Sequence, residues 1–292
     1  MNTNIKRIPK IRAETSYSKS NSMRVISRFL TFALALTIVY PIIFIILISL
    51  KNNQEFYSNI WGLPDVWRWS NYVFAWVERE VGRYAWNSVI VTLSGVFASV
   101  LITAFGGYAL SKMYIPKAEL ILAILMTFNF VPGVAIYISL YIQMISMHLN
   151  RTLWMLILPY MTWQIPFSLY IFKKFFDSVP TELLEAARID GSGEINTFFR
   201  VIIPLVRPAI ATVMVFNFIH IWGEYMWASI ASSSSVAIQT LPVGLLRFRG
   251  EYGIEWGPFA AAIMIIVLPL MMIFIYLQRY FIQGLTSGAV KG

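Results

Sequence analysis

The chain has 292 residues, of which 58% are hydrophobic, 16% aromatic and only 13% charged, with a mean hydropathy of +0.66. That charge content is about half of what soluble domains carry, so a freely soluble protein is excluded and a polytopic membrane protein is indicated. The absence of cysteine excludes a disulfide framework and a thiolate metal site, and the net charge of +9 is read through its distribution along the chain, not as nucleic-acid binding.

Residues 1–28 form a basic, Ser/Asn-rich N-terminal tail, with 1–25 expected to be disordered because they have little to bury. Six apolar runs follow, near 29–50, 86–110, 119–143, 152–176, 209–230 and 258–280. The first has 22 residues, a helix of about 33 Å, which matches the hydrocarbon thickness. It is too long for a cleaved leader, and SLKNNQ follows it in place of a small-residue cleavage site. The runs are too long for strands, so the expected fold is all-α with six transmembrane helices over 29–280 and a C-terminal tail over 281–292. The 51–85 segment carries Phe56, Tyr57, Trp61, Trp67, Trp69, Tyr72 and Trp76, which suit the headgroup level. Pro41, Pro132, Pro159 and Pro166 lie inside the runs, either as kinks repaired by neighbours or as bends framing a cavity. No internal repeat is visible.

Lysine and arginine set the orientation. With the N-terminus inside, 16 of the 23 basic residues fall on the inner side and 7 on the outer. Both termini are therefore expected in the cytoplasm, with the 177–208 segment inside and the 231–257 loop outside.

The inner segment reads SVPTELLEAARIDG. Pro180 suits a first turn. Glu182 and Glu185 lie near the positive end of a helix and Arg188 near the negative end, and Gly191 suits a reversal after it. The spacing predicts a helix over 181–190, with Leu183 and Leu184 apolar and Ala186 and Ala187 flat. A second short helix is expected through Phe198 and Phe199, ending before Pro204, and Pro208 opens the fifth span. Such a helix can dock into a groove on another protein or rest on the membrane surface.

Glu185, Ala186, Ala187, Gly191, Val201, Ile203 and Pro204 keep the spacing of the EAA motif. With GGYALSKMYIP at 106–116, FVPG at 130–133 and LPVGLLRFRGEYGIEWGPFAAA at 241–262, the chain resembles the membrane subunits of ABC importers over roughly 25–292. The similarity is to the carbohydrate branch, and the ending QRYFIQGLTSGAVKG is most similar to the maltose-type, MalG-like subunits. The resemblance implies a permease of the MetI-like fold in the bacterial plasma membrane. Its implied partners are a second permease, two cytoplasmic ATPase subunits, a solute-binding protein outside, membrane lipid and a sugar. Glu182, Glu185, Ala186, Ala187, Asp190, Gly191 and Pro204 would couple to the ATPase. Gly284, Gly288 and Lys291 would reach between the ATPase subunits, and Leu241, Pro242, Gly244 and Leu245 would face the binding protein. No lysine follows a glycine, so the chain has no Gly-Lys-[Ser/Thr] phosphate loop, and ATP and Mg would be bound by the partners alone.

Asn217, His220 and Glu224 are spaced to share a face of the fifth span, beside Trp222 and Tyr225. Three readings stand: a sugar-facing translocation path, a packing network, or a proton relay of a secondary transporter. A glycerol phosphate or another polar solute is the alternative cargo. No cluster has metal-ligand spacing, and no nucleophile is placed with a base, so no catalytic residue is assigned.

Overall fold

The structure, a computed structural model, describes residues 21–250 and 253–289. Residues 1–20, which hold most of the expected tail, and Lys291 lie outside the described residues. By its contacts the chain divides into two units, Met1–Phe44 and Ile45–Gly292.

Helix α1 (Asn21–Ser49) supplies the described part of the first unit and runs on into the second. Phe29, Leu30, Phe32, Leu34, Leu36 and Ile38 are all exposed along it. A helix that is apolar all round is stable in hydrocarbon and not in water. Pro41 lies inside this helix without ending it.

The second unit is built around α4 (Val81–Lys112), which packs against α7 (Trp154–Trp163), α8 (Ile165–Asp177) and α12 (Arg207–Trp222). The last helix, α15 (Trp256–Ala289), packs on α12 and on α3 (Ser70–Val77). A Cβ at Gly107 would come within 2.7 Å of the Phe172 Cβ, so glycine is what permits α4 and α8 to approach so closely. Fully buried polar residues join the same helices. The Asn217 amide donates to the Ser99 hydroxyl at 3.0 Å and accepts from the Ser168 hydroxyl at 3.2 Å.

Three described helices are long and apolar enough to cross a membrane, or up to six if each of three bent pairs is one span. The first two pairs follow the expected runs, while the third departs from 209–230, because α12 ends at Trp222 and the helix before it lies in the expected inner segment. Ala118–Phe130 meets α6 (Gly133–Ser146) at 95°, α7 meets α8 at 43°, and Glu194–Leu205 meets α12 at 80°. Pro132 caps α6 and Pro166 starts α8, so both sit at bends, as chain without a free N–H must. Pro159 stays within α7.

The connections fall into two groups. At one end, the segments 51–85 and 231–257 meet. They hold α2 (Asn53–Ser58), α3, α14 (Leu241–Gly244) and a two-residue antiparallel pair, Arg249–Gly250 with Gly253–Ile254, and α13 (Met226–Ala231) leads into the second segment. At the other end, 111–119 meets 173–179 through Ser111–Asp177, Lys112–Val179 and Lys173–Glu119 bonds.

Candidate functional site

The short helix between the fourth and fifth spans forms as α9 (Glu182–Ile189). Glu182 and Glu185 lie in its first turn and Arg188 in its last, each favourable to the helix dipole. Gly191 stands at φ +77°, a conformation that costs a residue with a Cβ about 1 kcal/mol or more. The Gly191 N–H donates to the Arg188 carbonyl at 3.0 Å, and the Ser192 N–H donates to the Ala187 carbonyl at 2.9 Å. That double bond pattern is the Schellman ending.

The helix has two unlike sides. Leu184 and Ala187 are buried. Leu184 joins an apolar cluster with Tyr108, Phe176, Val179, Phe198 and Ile202, and Val201 and Ile203 pack against it. Glu182, Glu185, Ala186 and Ile189 are exposed at i, i+3, i+4 and i+7, which is one helix face. Ile189 is 86% exposed, and Leu183 and Ile195 near it are exposed as well. The expected flat pair is thus divided: Ala186 faces out, whereas Ala187 faces the cluster and its close approach is to this chain. Leu183 is exposed, which places only Leu184 on the apolar side. Asp190 caps the helix and is exposed.

The following segment differs from expectation. The chain does not stop before Pro204. It runs through α10 (Glu194–Thr197), a π-helical turn Phe198–Ile202 and α11 (Ile203–Leu205), with exposed Pro204 inside α11. Proline is tolerated there because α11 is a fresh start, where an N–H lacks a partner anyway. Pro208 stands in the first turn of α12, as expected.

Polar bonds tie this region to the spans. The Tyr108 hydroxyl donates to Glu194 Oε2 at 3.0 Å, and Arg188 pairs with Glu194 Oε1 at 2.7 Å. These bonds, Arg188 first and then Tyr108, hold the Glu194 carboxyl below its ordinary range. Lys112 Nζ donates to the Val179 carbonyl at 2.6 Å. Sequence reasoning missed Tyr108 and Lys112, since nothing local in the chain marks a partner 67 or more residues away.

At the other end, Leu241 and Gly244 are buried against α4, and Pro242 and Leu245 are half-buried. The Leu241 N–H donates to the Ser88 hydroxyl at 2.8 Å. The exposed residues of this stretch are Leu246 and Arg247, neither of which was singled out. Gly284 and Gly288 lie within α15, which continues to Ala289.

The polar residues of the fifth span do not share a face. Helix α12 ends at Trp222, so Glu224 lies past it. Its carboxylate instead accepts from the Trp227 and Ala228 N–H groups at 2.8 and 3.0 Å and from the Tyr160 hydroxyl at 2.6 Å. Asn217 is fully buried in the serine network, while His220 is exposed. A relay through the three has no geometry to support it, and packing accounts for Asn217 and Glu224. The Trp222 indole donates to the Ile266 carbonyl at 3.0 Å and is buried, so it cannot stack on a sugar. Tyr225 is partly exposed before α13. Among the described residues no group of three or more His, Asp and Glu side chains could hold a metal ion.

Comparison with known proteins gives these features a context. The family model for the binding-protein-dependent transport system inner membrane component matches residues 105–287. The chain is 33% identical over 262 residues to the probable ABC transporter permease protein YurM of Bacillus subtilis (strain 168), covering 89% of this chain and 86% of YurM. It is 30% identical to the melibiose/raffinose/stachyose import permease protein MelC of the same strain, over 94% of this chain and 99% of MelC. It is 29% identical to the diacetylchitobiose uptake system permease protein NgcG of Streptomyces coelicolor (strain ATCC BAA-471 / A3(2) / M145), over 96% of this chain and 93% of NgcG. The fold matches a chain of a bacterial ABC transporter involved in the import of the acidic polysaccharide alginate, with a TM-score of 0.75 and 22% identity over 90% of this chain and 98% of that one. This is the all-α polytopic permease fold of ABC importers. That architecture implies separate ATPase subunits and a solute-binding partner, and its permeases hold no ATPase centre. The chain belongs to the family of binding-protein-dependent transport system inner membrane components.

Proposed function

We propose that this chain is one of two permeases in an ATP-driven, binding-protein-dependent importer of oligosaccharides, with both termini in the cytoplasm of a bacterial cell. The observation that carries the proposal is the two-sided α9: Leu184 anchors it to the spans, and Glu182, Glu185, Ala186 and Ile189 are left facing outward. An anchored helix with a free face transmits the movement of whatever grips that face. Two cytoplasmic ATPases closing on ATP and Mg would draw α9 inward, and the cluster under Leu184 would carry the shift into α4 and α8. The cavity would then open outward to a loaded binding protein, and hydrolysis would reset it. Asp190 and Gly191 fix the end of the gripped helix, and Pro204 starts the return to the membrane. Leu246 and Arg247, on the loop around Leu241–Leu245, would meet the binding protein. Gly284, Gly288 and Lys291 would reach between the ATPase subunits.

The carbohydrate cargo rests on relatives whose names specify melibiose, raffinose and stachyose, diacetylchitobiose, and arabinooligosaccharides. Nothing singles out the maltose-type subunit. A relative named for sulfoquinovosyl glycerol, 30% identical over 87% of this chain, keeps a small polar glycoside as a second cargo.

The test is ATPase activity of the reconstituted complex with its permease partner, ATPases and binding protein, titrated with raffinose, diacetylchitobiose, arabinotriose and glycerol 3-phosphate. Stimulation by a saccharide that is lost in a Glu185→Lys, Ile189→Glu double variant supports the reading. Stimulation only by glycerol 3-phosphate refutes the sugar assignment. Unchanged stimulation in the double variant refutes the role of α9.

A further inference from the structure

A cavity of about 710 Å³ lies where the third and fourth spans bend. Phe128, Asn129 and Val131 border it from the break in the third span, and Thr162 and Trp163 from the break in the fourth. Phe128, Asn129, Phe130 and Val131 are all exposed, and Pro132 interrupts the helical ladder among them. Irregular backbone at membrane depth cannot face lipid, because hydrocarbon offers no hydrogen bonds. It persists where it is buried in protein, lines water or meets a polar ligand.

The wall of this cavity is aromatic and braced from behind. The Tyr137 and Trp163 rings lie 5.7 Å apart at 32° and both line the cavity. Behind them, Trp227 lies 5.7 Å from Tyr137 and 6.1 Å from Trp163. Trp227 is fixed by a 3.1 Å bond to the Met155 carbonyl, and Tyr160, 5.7 Å from Trp163, by its bond to Glu224. A Cβ at Gly133 would stand 3.1 Å from the Tyr137 hydroxyl oxygen, so the ring lies back over the glycine. The Thr162 hydroxyl donates to the Pro159 carbonyl at 2.8 Å and keeps its oxygen as an acceptor. Asn129 adds an amide on the opposite border.

An apolar, aromatic wall with a few polar groups at its rim fits a ligand that has an apolar face and hydroxyl edges. A sugar ring has both. Its C–H face is weakly positive and matches the negative face of an aromatic ring. We propose that Tyr137 and Trp163 form a stacking platform for one ring of the transported saccharide, with Asn129 and Thr162 bonding its hydroxyls. This deepens the importer reading and rests on it, and it assigns substrate contact to this chain and not to the partner permease alone.

The experiment uses the full complex in nanodiscs with a non-hydrolysable ATP analogue and no binding protein, so that retained sugar reports the permeases. Tritiated raffinose, diacetylchitobiose and arabinotriose are the probes, measured by equilibrium dialysis. The saccharide that stimulates the wild-type ATPase should be retained, and Tyr137→Ala and Trp163→Ala should each weaken retention at least about ten-fold, the equivalent of 1.4 kcal/mol. Trp163→Phe should restore most of it, and Gly133→Ala, a small change that displaces the Tyr137 ring, should give an intermediate loss. Retention unchanged in the alanine variants overturns the platform while leaving the importer intact. Quenching by brominated-chain phospholipid that disappears in Trp163→Phe would mean that the groove holds an acyl chain, and also overturns it. No saccharide stimulation in the wild type sinks the importer reading, and the platform with it.

Discussion

The two ends of the second unit are built differently. The end formed by 51–85 and 231–257 is closed upon itself. Lys51 is fully buried, and its ammonium donates to the Asn59 and Gly62 carbonyls at 2.5 and 2.6 Å. Asn71 bonds the Ser49 and Lys51 carbonyls, both at 2.8 Å, and Asn87 bonds those of Ala237 and Gln239, also at 2.8 Å. Phe56 stacks on Trp256 at 4.7 Å, and Arg79 pairs with Glu255. The α9 end is bound on one side only. Its inner side is held by Leu184, Tyr108 and Lys112, and its outer side has an exposed isoleucine among carboxylates. The cross-links of the first end hold its shape before a partner arrives, although the Arg68 and Arg79 Nε atoms and the Gln239 and Thr240 side-chain oxygens are buried there without a hydrogen bond. Exposed apolar side chains stand at both ends, Ile189 on α9 and Tyr57, Trp61, Trp67 and Trp69 at the other, so the contrast lies in the bonding and not in the apolar surface. On the proposed reading, the first would be a platform that a binding protein visits and the second a joint that a motor grips.

The largest effect is expected at the turn that ends α9. Gly191→Pro forces φ to about −65° and removes an N–H, a change of about 3 kcal/mol or more in a helix terminus set at +77°. Saccharide-stimulated ATPase activity should vanish while membrane levels on immunoblots stay normal. Gly191→Ala meets nothing within 4 Å and should lower coupling only partly. Normal activity of the proline variant would break the contrast between the two ends.

Next comes the anchor. Leu184→Ala should cost about 2–5 kcal/mol locally, because the cluster beneath it cannot close the void. ATPase subunits should co-purify in reduced amount, with binding-protein affinity unchanged. Lys51→Met is the counterpart. It leaves carbonyls unpaired at about 1.5–3 kcal/mol. It should weaken binding-protein affinity in surface plasmon resonance and spare ATPase association. If either variant affects both partners equally, the ends are not independent.

The smallest effects concern Glu194. Tyr108→Phe should cost about 1 kcal/mol, seen as faster hydrogen exchange over 182–197. Because the folded carboxyl is held below its ordinary value, its contribution is present above that ordinary value and is lost as the pH falls through the lower folded one. Exchange over this segment should thus be flat between pH 6 and 8, and acid loosening should disappear in Glu194→Gln.

Much of this was legible in the sequence, for physical reasons. Apolar runs marked where most of the long or bent helices lie, because hydrocarbon thickness fixes the length a span needs, but the run 209–230 extends past the end of α12. Acidic first turn, basic last turn and glycine gave α9, because its signals are local. The bends were only half legible. Proline marked Pro132 and Pro166, but the 95° and 43° angles depend on packing. The fifth span was misread, because i, i+3, i+7 spacing means one face only while the helix continues, and it ends at Trp222. Ala187 was assigned outward because pattern alone does not say which side of a short amphipathic helix has a cluster waiting beneath it. The Lys51 cage was invisible, since a lysine in a loop reads as solvated until its carbonyl partners are in place.

The most direct measurement uses the absence of native cysteine, which makes single-cysteine variants clean. Ala186→Cys and Leu246→Cys would be labelled with a membrane-impermeant maleimide in inside-out and right-side-out vesicles, with and without bound ATPase subunits. The account predicts that Ala186→Cys reacts only in inside-out vesicles and is protected by the ATPase, while Leu246→Cys reacts only from the other side and ignores the ATPase. Labelling of Ala186→Cys from outside, or equal labelling with and without the ATPase, would contradict the claim that α9 is the face the motor grips.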